Sequence, residues 1–357
     1  MAHDNARGGD RALAMVTGAY PPDVCGVGDY TSRLMAAAPA SWQPFVERDW
    51  SPRAAPNILR RLLRLRPRDV VVQYPTQGYG WSLVPHLLVV AGWLTRRYRP
   101  VLALHEFTSL TGKAQLALAL ASHAAAQVIF TTAAERDRAR AHRLFSSRVP
   151  TTVIGILSNI PFAPHPPAFG VRGIDVAYFG HIRPNKGLEA FLNVMTGLRA
   201  ADPAVRIAVI GEVPNGYEAF GDMVAERCRD IGATMTTGLD DAQAGAALAD
   251  VRILYLPFPD GVSARRGSVL AGLGNGVIVA TSIGDATPSA LLPAIVTCAG
   301  TFEDVAVLRR TLRLSATQAT SLQQAGGDYI NTMLPRDWAQ VAALYDRALG
   351  RAAGPAC

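Results

Sequence analysis

Acidic residues, cysteines and long apolar runs are all scarce in this sequence. Its 357 residues carry 28 Asp and Glu against 35 Lys and Arg, a formal net charge of +7, and charged residues make up only 18%. With 49% hydrophobic residues, the chain is not a disordered or solvating one and has enough apolar surface for two buried cores. The four cysteines, Cys25, Cys228, Cys298 and Cys357, lie far apart without a CxxC pair or clustered histidines. That spacing argues against a disulfide framework and a structural zinc site, and suits a reducing cytoplasm. The longest apolar stretch, Trp81 to Leu94, is interrupted by Pro85, His86 and Gly92. It falls short of the roughly 20 residues that span a bilayer and reads as a buried helix. The opening MAHDNARGGDR has no apolar signal-peptide core, so no export is expected.

What is present is a rhythm. Short β-branched runs at 12–18, 69–74, 100–106, 127–132 and 151–156 alternate with longer helical patterns, which predicts βαβ units and a parallel sheet. The proline-rich SNIPFAPHPPAFG (158–170) interrupts the pattern, since successive prolines remove backbone donors and disfavour helix and central strand alike. The alternation restarts at 174–180, 206–212, 251–257, 276–282 and 294–300. The expected architecture is therefore α/β, with two doubly wound Rossmann-like domains facing across a cleft: 1–160, a linker at 161–173, 174–330, and a terminal helix within 331–357 opened by Pro335. Ligands of open parallel sheets bind beyond the carboxyl ends of the strands, so functional residues are expected just after strands.

Four constellations occupy such positions. In AYPPDVCGVGDYT (19–31), Gly26 and Gly28 allow close backbone approach ahead of a helix whose free N–H groups favour an anion; glycine at such a turn is also often only geometry. At the end of the LHEF strand, His105 can donate to a sugar hydroxyl or a departing oxygen, or serve simply as a satisfied structural histidine. Gln73, Tyr74, Thr131 and Thr132 end neighbouring strands. FGHIRPNKGLEAF (179–191) sets Arg183 and Lys186 beside a helix start, a pairing suited to a diphosphate. LPFPDGVSARRGS (256–268) brings Asp260, Gly261, Ser263, Arg265, Arg266, Gly267 and Ser268 to another strand-to-helix turn. No DxD cluster follows a strand, and Asp240–Asp241 reads as a helix start, so no metal site is expected. The basic NILRRLLRLRPR (57–68) is an amphipathic helix that could lie on an anionic membrane or cover the sheet with its arginines in solvent. No basic platform interleaved with aromatics suggests a nucleic-acid binder.

Taken together, PPxxxGVGDYT, LHE, SNIP, FGxIRPxKGLE, Gly211–Glu212, Thr237–Gly238 and the glycine-rich turn near 276 resemble, in family order over about residues 12–290, the GT-B glycosyltransferases and within them the retaining family 4 enzymes of bacterial polysaccharide and glycoconjugate assembly. The resemblance implies transfer from a nucleoside-diphosphate sugar to a hydroxyl acceptor without a further cofactor. It implies catalytic roles for His105, Arg183 and Lys186. It places Gly26, Gly28, Gly211, Glu212, Ser263, Arg265, Arg266, Gly267 and Ser268 on the donor, and Asp29, Tyr30, Gln73 and Tyr74 on a glycan or lipid-linked acceptor. One departure is plain: two glutamates that the family commonly carries, with seven residues between them, are replaced here by Ser263 and Ala271. A sugar-nucleotide epimerase or hydrolase of the same fold, or a non-catalytic partner subunit, is the alternative.

Overall fold

The computed structural model describes residues 12–23, 25–108 and 110–351; the expectations for 1–11 and Cys357 lie outside them. The chain divides into two units, one of residues up to Ile156 together with those from Pro335 onward, the other Leu157–Leu334. The elements of the first are β1 (Leu13–Thr17), α1 (Gly26–Ala37), β2 (Trp42–Val46), α2 (Ala55–Arg64), β3 (Asp69–Tyr74), α3 (Val84–Thr95), β4 (Arg99–Leu104), α4 (Gly112–Ala121), β5 (Gln127–Phe130), α5 (Ala133–Ala141) and β6 (Thr151–Val153). Every adjacent pair is parallel, in the order β2-β1-β3-β4-β5-β6. Alternate residues such as Ala14, Val16, Val70, Val72, Leu102, Leu104, Val128 and Phe130 share one core with Ile58 and Leu62 of α2, Leu88 and Val89 of α3 and Leu118 of α4. These three helices therefore cover one face of the sheet, as right-handed crossovers moving in the same direction require.

The second unit runs β7 (Ile174–Phe179), α6 (Leu188–Ala201), β8 (Ile207–Ile210), α7 (Glu218–Asp230), β9 (Thr234–Thr236), α8 (Asp241–Ala249), β10 (Val251–Leu256), α9 (Gly267–Gly274), β11 (Ile278–Ser282), β12 (Ile295–Cys298), α10 (Asp304–Leu312) and α11 (Ala316–Met333). Its parallel sheet has the order β12-β11-β10-β7-β8-β9. That is the doubly wound arrangement in which the direction of winding reverses between β7 and β10. The proline-rich stretch packs on this unit: Ala163 N donates to Asn275 Oδ1 at 2.9 Å, and Asn275 Nδ2 donates to Pro161 O at 3.2 Å. Asp240 begins α8 with a reciprocal capping box to Gln243.

The last helix, α12 (Trp338–Ala348), starts three residues after Pro335, is capped by Asp337, and belongs to the first unit. It lies beside α1 and is fixed by buried polar bonds. Tyr345 meets the Tyr30 hydroxyl at 3.4 Å, and Asp346 accepts from Trp42 Nε1 at 3.3 Å and from Arg351 Nε at 3.0 Å. Arg351 reaches on to Asp69 at 3.3 Å, which also accepts from Arg99 Nε at 2.6 Å.

α3 departs from its expected burial. Val84, His86, Leu88 and Val89 face the sheet, but Leu87, Trp93 and Leu94 are exposed. His86 is buried against the Tyr74 ring at 4.9 Å, and neither of its ring nitrogens has a hydrogen-bond partner among the described residues. Burial pushes it down to about 4, against a smaller opposing pull from the Leu83 backbone. The unfolded chain, titrating near pH 6.5, therefore takes up this proton first, and the fold loses up to about 3 kcal/mol as pH falls from there towards 4, levelling off below. Denaturation of the wild type and of His86→Leu at neutral and mildly acid pH checks this. The variant should lose less stability on acidification, and parallel losses would contradict the assignment.

Candidate functional site

In the second unit the positive charges gather where the winding reverses. β7 ends at Phe179–Gly180 and β10 at Leu256, adjacent strands whose following loops carry Arg183 and Lys186 on one side and Arg265 and Arg266 on the other. This is the position where an open parallel sheet leaves a crevice at its carboxyl edge. Gly187, at φ 82°, caps α6 without a side chain, and a Cβ there would come within 2.2 Å of Pro257 O, so only glycine lets the two loops approach so closely. The start of α6 has no side-chain cap, which leaves its first N–H groups available to an anion.

The loop after β7 is held from beneath by Tyr178, whose hydroxyl donates to His181 O at 3.3 Å and sits 3.5 Å from Lys186 O. Burial raises the Tyr178 hydroxyl, while both Arg266 and Arg183 pull it down, so the two loops bring their guanidinium groups to the same tyrosine. Arg266 is anchored: it pairs with Asp260 and lies over the Phe258 ring at 4.2 Å. Gly261, at φ 76°, takes a left-handed turn in that loop. Arg266 also precedes α9, whose first residues Gly267 and Ser268 carry no cap. Ser263 O accepts from Arg266 N at 3.1 Å, whereas Ala271 is wholly buried in the core.

Gly211 and Glu212 follow β8. A Cβ on Gly211 would fall 1.8 Å from Gly180 O, so the ends of β7 and β8 can close on each other only with glycine there. The Glu212 carboxylate accepts from the Gly238 backbone N–H, tying down the Thr237–Gly238 turn. His181 was not singled out from the sequence, although it stands in the same motif. Its imidazole is held below its ordinary value by desolvation and then by Arg183 and Lys186, with Glu212 opposing.

In the first unit the winding reverses between β1 and β3, and the loops after these strands interlock. Gly18 N donates to Thr76 Oγ1 at 3.1 Å, Tyr79 Oη donates to Val16 O at 3.3 Å, and a Cβ on Gly78 would strike Gly18 O. Gly28 packs on the backbone of Ala19, where a Cβ would approach within 2.9 Å of its carbonyl oxygen, while Gly26 opens α1 into free space. The N-cap of that helix, Cys25, makes no side-chain cap. Asp29 is half-buried in the first turn.

His105 follows β4. Its Nε2 lies 2.6 Å from Gln73 Oε1, its ring meets the edge of Tyr30 at 4.9 Å, and its carbonyl accepts from Thr131 at 3.2 Å. The structure places Tyr30, Gln73 and Tyr74 in the interior. Tyr30 lies against Trp338 and Tyr345, Gln73 bridges His105 and Met15 Sδ, and Tyr74 stacks on Tyr79. Burial, and after it Tyr345, raises the Tyr30 hydroxyl well above its ordinary value, so it stays neutral. Glu135, also missed from the sequence, is buried and accepts from Phe107 N at 2.6 Å and Thr108 N at 3.0 Å, fixing the chain that follows His105–Glu106. No group of three or more His, Cys, Asp or Glu placed to hold a metal ion occurs among the described residues.

No protein-family model and no curated protein matches the sequence. The fold has many solved counterparts. The Anabaena protein HepE, crystallised with UDP and glucose, is similar with a TM-score of 0.67 at 12% identity, over 95% of this chain and 99% of that one. Sucrose-phosphate synthase from Thermosynechococcus elongatus is similar with a TM-score of 0.67 at 14% identity, over 95% and 98%. TarM from S. aureus, in a complex that includes UDP, gives a TM-score of 0.58 at 11% identity, over 78% of this chain and 55% of TarM, so the chain spans about half of that protein's length. These neighbours are GT-B glycosyltransferases, and the two parallel six-stranded sheets with interleaved helices have their architecture.

Proposed function

We propose that this chain is a retaining glycosyltransferase that moves a sugar from a nucleoside-diphosphate donor to a hydroxyl acceptor in the assembly of a bacterial polysaccharide or glycolipid. What supports the reading is that the loops after the adjacent strands β7 and β10 carry Arg183 and Lys186 on one side and Arg265 and Arg266 on the other, beside the uncapped start of α6. A diphosphate fits such a set: the guanidinium forks engage paired oxygens, the ammonium supplies a point charge, and the helix N–H groups complete the cradle. Negative charge grows on the leaving diphosphate as the glycosidic bond breaks, so preorganised cations stabilise the transition state more than the ground state. The leaving oxygen then takes the acceptor's proton on the same face, which removes the need for a protein nucleophile.

Gly211, Glu212, Ser263, Gly267 and Ser268 border the donor in this reading, with Gly26, Gly28 and the start of α1 near the sugar and phosphate. Because Gln73 Oε1 accepts from the Nε2 N–H, the other ring nitrogen of a neutral His105 accepts from a sugar hydroxyl in this reading. Gln73 and Tyr30 position that ring, Tyr74 supports the loop beneath it, and Asp29 meets the acceptor. HepE is crystallised with UDP and glucose and TarM in a complex that includes UDP, so a uridine donor is the first choice to test. The acceptor is lipid-linked, with the chain held peripherally at an anionic membrane.

Incubation with labelled UDP-sugars, with and without a mixed glycolipid acceptor extract, tests the proposal. Acceptor-dependent product of retained anomeric configuration is expected, whereas free sugar or an epimerised nucleotide in both arms would overturn it in favour of a hydrolase or epimerase. Chelation with EDTA should leave turnover essentially intact, because fixed cations neutralise the charge that a divalent ion would otherwise cover. Loss of activity restored by magnesium or manganese would contradict this.

A further inference from the structure

The first unit carries an apolar surface that its own fold leaves uncovered. Along α3 and its approach, Trp81 is 85% exposed, Leu83 59%, Leu87 53%, Trp93 56% and Leu94 66%. Leu83, Leu87, half-buried Val90 and Leu94 recur at helical spacing on one side, opposite the stripe of Val84, Leu88 and Val89 that packs on the sheet. Leu116 and Leu120 of the neighbouring α4, one turn apart, are exposed as well. A helix apolar on both sides, in a two-unit protein of this size, marks a surface that meets something other than water.

The charge around it identifies the occupant. Between Ser51 and His105 the sequence has nine arginines and one acidic residue, Asp69, and that one is fully buried and paired with Arg99 and Arg351. Arg96 and Arg97 continue directly from the end of α3, Arg66 and Arg68 lead into β3, and Arg60 and Arg64 project from α2, all of them exposed. Because α2, α3 and α4 cover the same face of the sheet, the arginines of α2 share that face with the apolar stripe, and Arg96 and Arg97 follow the stripe directly in the chain. We infer that the outer face of α3 and α4 inserts shallowly into an anionic lipid bilayer, with Trp81 and Trp93 at headgroup depth and the flanking arginines on lipid phosphates. Indole rings favour that interface, and the arginine stems can lie along the acyl boundary while their heads stay on phosphate. No helix among the described residues is long and apolar enough to cross a membrane, so the contact is with one leaflet. The inference deepens the membrane part of the proposed function; assayed without donor or acceptor, its failure would leave the sugar-transfer reading untouched.

The experiment is co-sedimentation of the full chain with vesicles of phosphatidylcholine alone or mixed with phosphatidylglycerol, at low and high salt, with tryptophan emission recorded in parallel. Of the three other tryptophans, Trp42 and Trp50 are buried and Trp338 is half-buried against Tyr30 on α12, so a vesicle-induced blue shift is expected to come from Trp81 and Trp93 and to vanish in a Trp81→Phe/Trp93→Phe variant. Anionic vesicles should bind the wild type. Leu87→Ser/Leu94→Ser should weaken binding at least about tenfold, and Arg96→Gln/Arg97→Gln should reduce its salt dependence. All these side chains are exposed, and unchanged helicity by circular dichroism confirms that the variants fold. Wild-type binding no stronger to anionic than to neutral vesicles, or leucine variants that bind like the wild type, would overturn the inference. So would a lipid-free dimer that the leucine variants convert to monomer, because the surface would then belong to a second copy of the chain.

Discussion

Asp69→Ala should cost the first unit about 3–5 kcal/mol, the largest single loss expected outside its apolar core, because it strands buried guanidinium charge. Asp69 is fully buried at the start of β3, where it accepts from Arg99 at 2.6 Å and Arg351 at 3.3 Å. Arg351 is itself nearly inaccessible and shares Asp346, which in turn holds Trp42. The carboxylate thus links the amino edge of the sheet to the residues that follow α12, and its removal leaves Arg351 with Asp346 alone among these acids. Asp69→Asn, which keeps an acceptor oxygen but not the charge, should cost less. Urea unfolding resolved into the transitions of the two units checks this. The early loss should fall on the unit containing Trp42, and an unchanged midpoint there would contradict the network's role.

Arg183→Ala and Lys186→Ala should each weaken UDP binding by about 1.5–3 kcal/mol, the range for a hydrogen bond to a charged group, without lowering the unfolding temperature of the free protein. The two residues follow β7 in a loop shaped by Tyr178, by Asn185 at φ 61° and by Gly187, so truncating them leaves its backbone supports in place. Arg266→Ala is expected to behave differently. That side chain also holds Asp260 and covers Phe258, and its loss should loosen the 257–268 loop together with the nucleotide. Calorimetric titration separates the cases, and unchanged UDP affinity in both Arg183→Ala and Lys186→Ala would remove the diphosphate assignment.

Most of the strands were legible because each buried parallel strand is a short β-branched run between helical patterns. The expected 69–74 coincides with β3, and other ends moved by a few residues. Two strands were not foreseen, β2 and β9, and both lie at sheet edges. β2 contains Pro44, and β9 is the three-residue TMT, so neither shows the apolar run that burial on both faces imposes. α3 was misjudged for the converse reason. The composition of 81–94 is apolar throughout, and composition cannot tell a helix covered on both sides from one with an uncovered face.

At the site, the positions of Arg183, Lys186, Arg265 and Arg266 followed from strand ends alone, since the parallel topology sends every carboxyl end to one edge. Side-chain direction did not follow. Tyr30 stands two residues after Gly28, yet it turns inward to Trp338 and Tyr345, residues some three hundred positions away. The pairing of His105 with Gln73 and the hold of Glu135 on Phe107 and Thr108 likewise join separate strands and helices. No local spacing encodes such contacts.

The most direct test of the account is a thermal-shift panel of nucleosides, nucleoside monophosphates, diphosphates and diphosphate sugars, because a ligand that binds only the folded state raises its melting temperature. If the β7/β10 cations form a diphosphate cradle, UDP and UDP-sugars should raise Tm well above UMP or uridine, and the gap should close in Arg183→Ala/Lys186→Ala. A panel in which no nucleotide moves Tm, or in which the monophosphate matches the diphosphate, would contradict it.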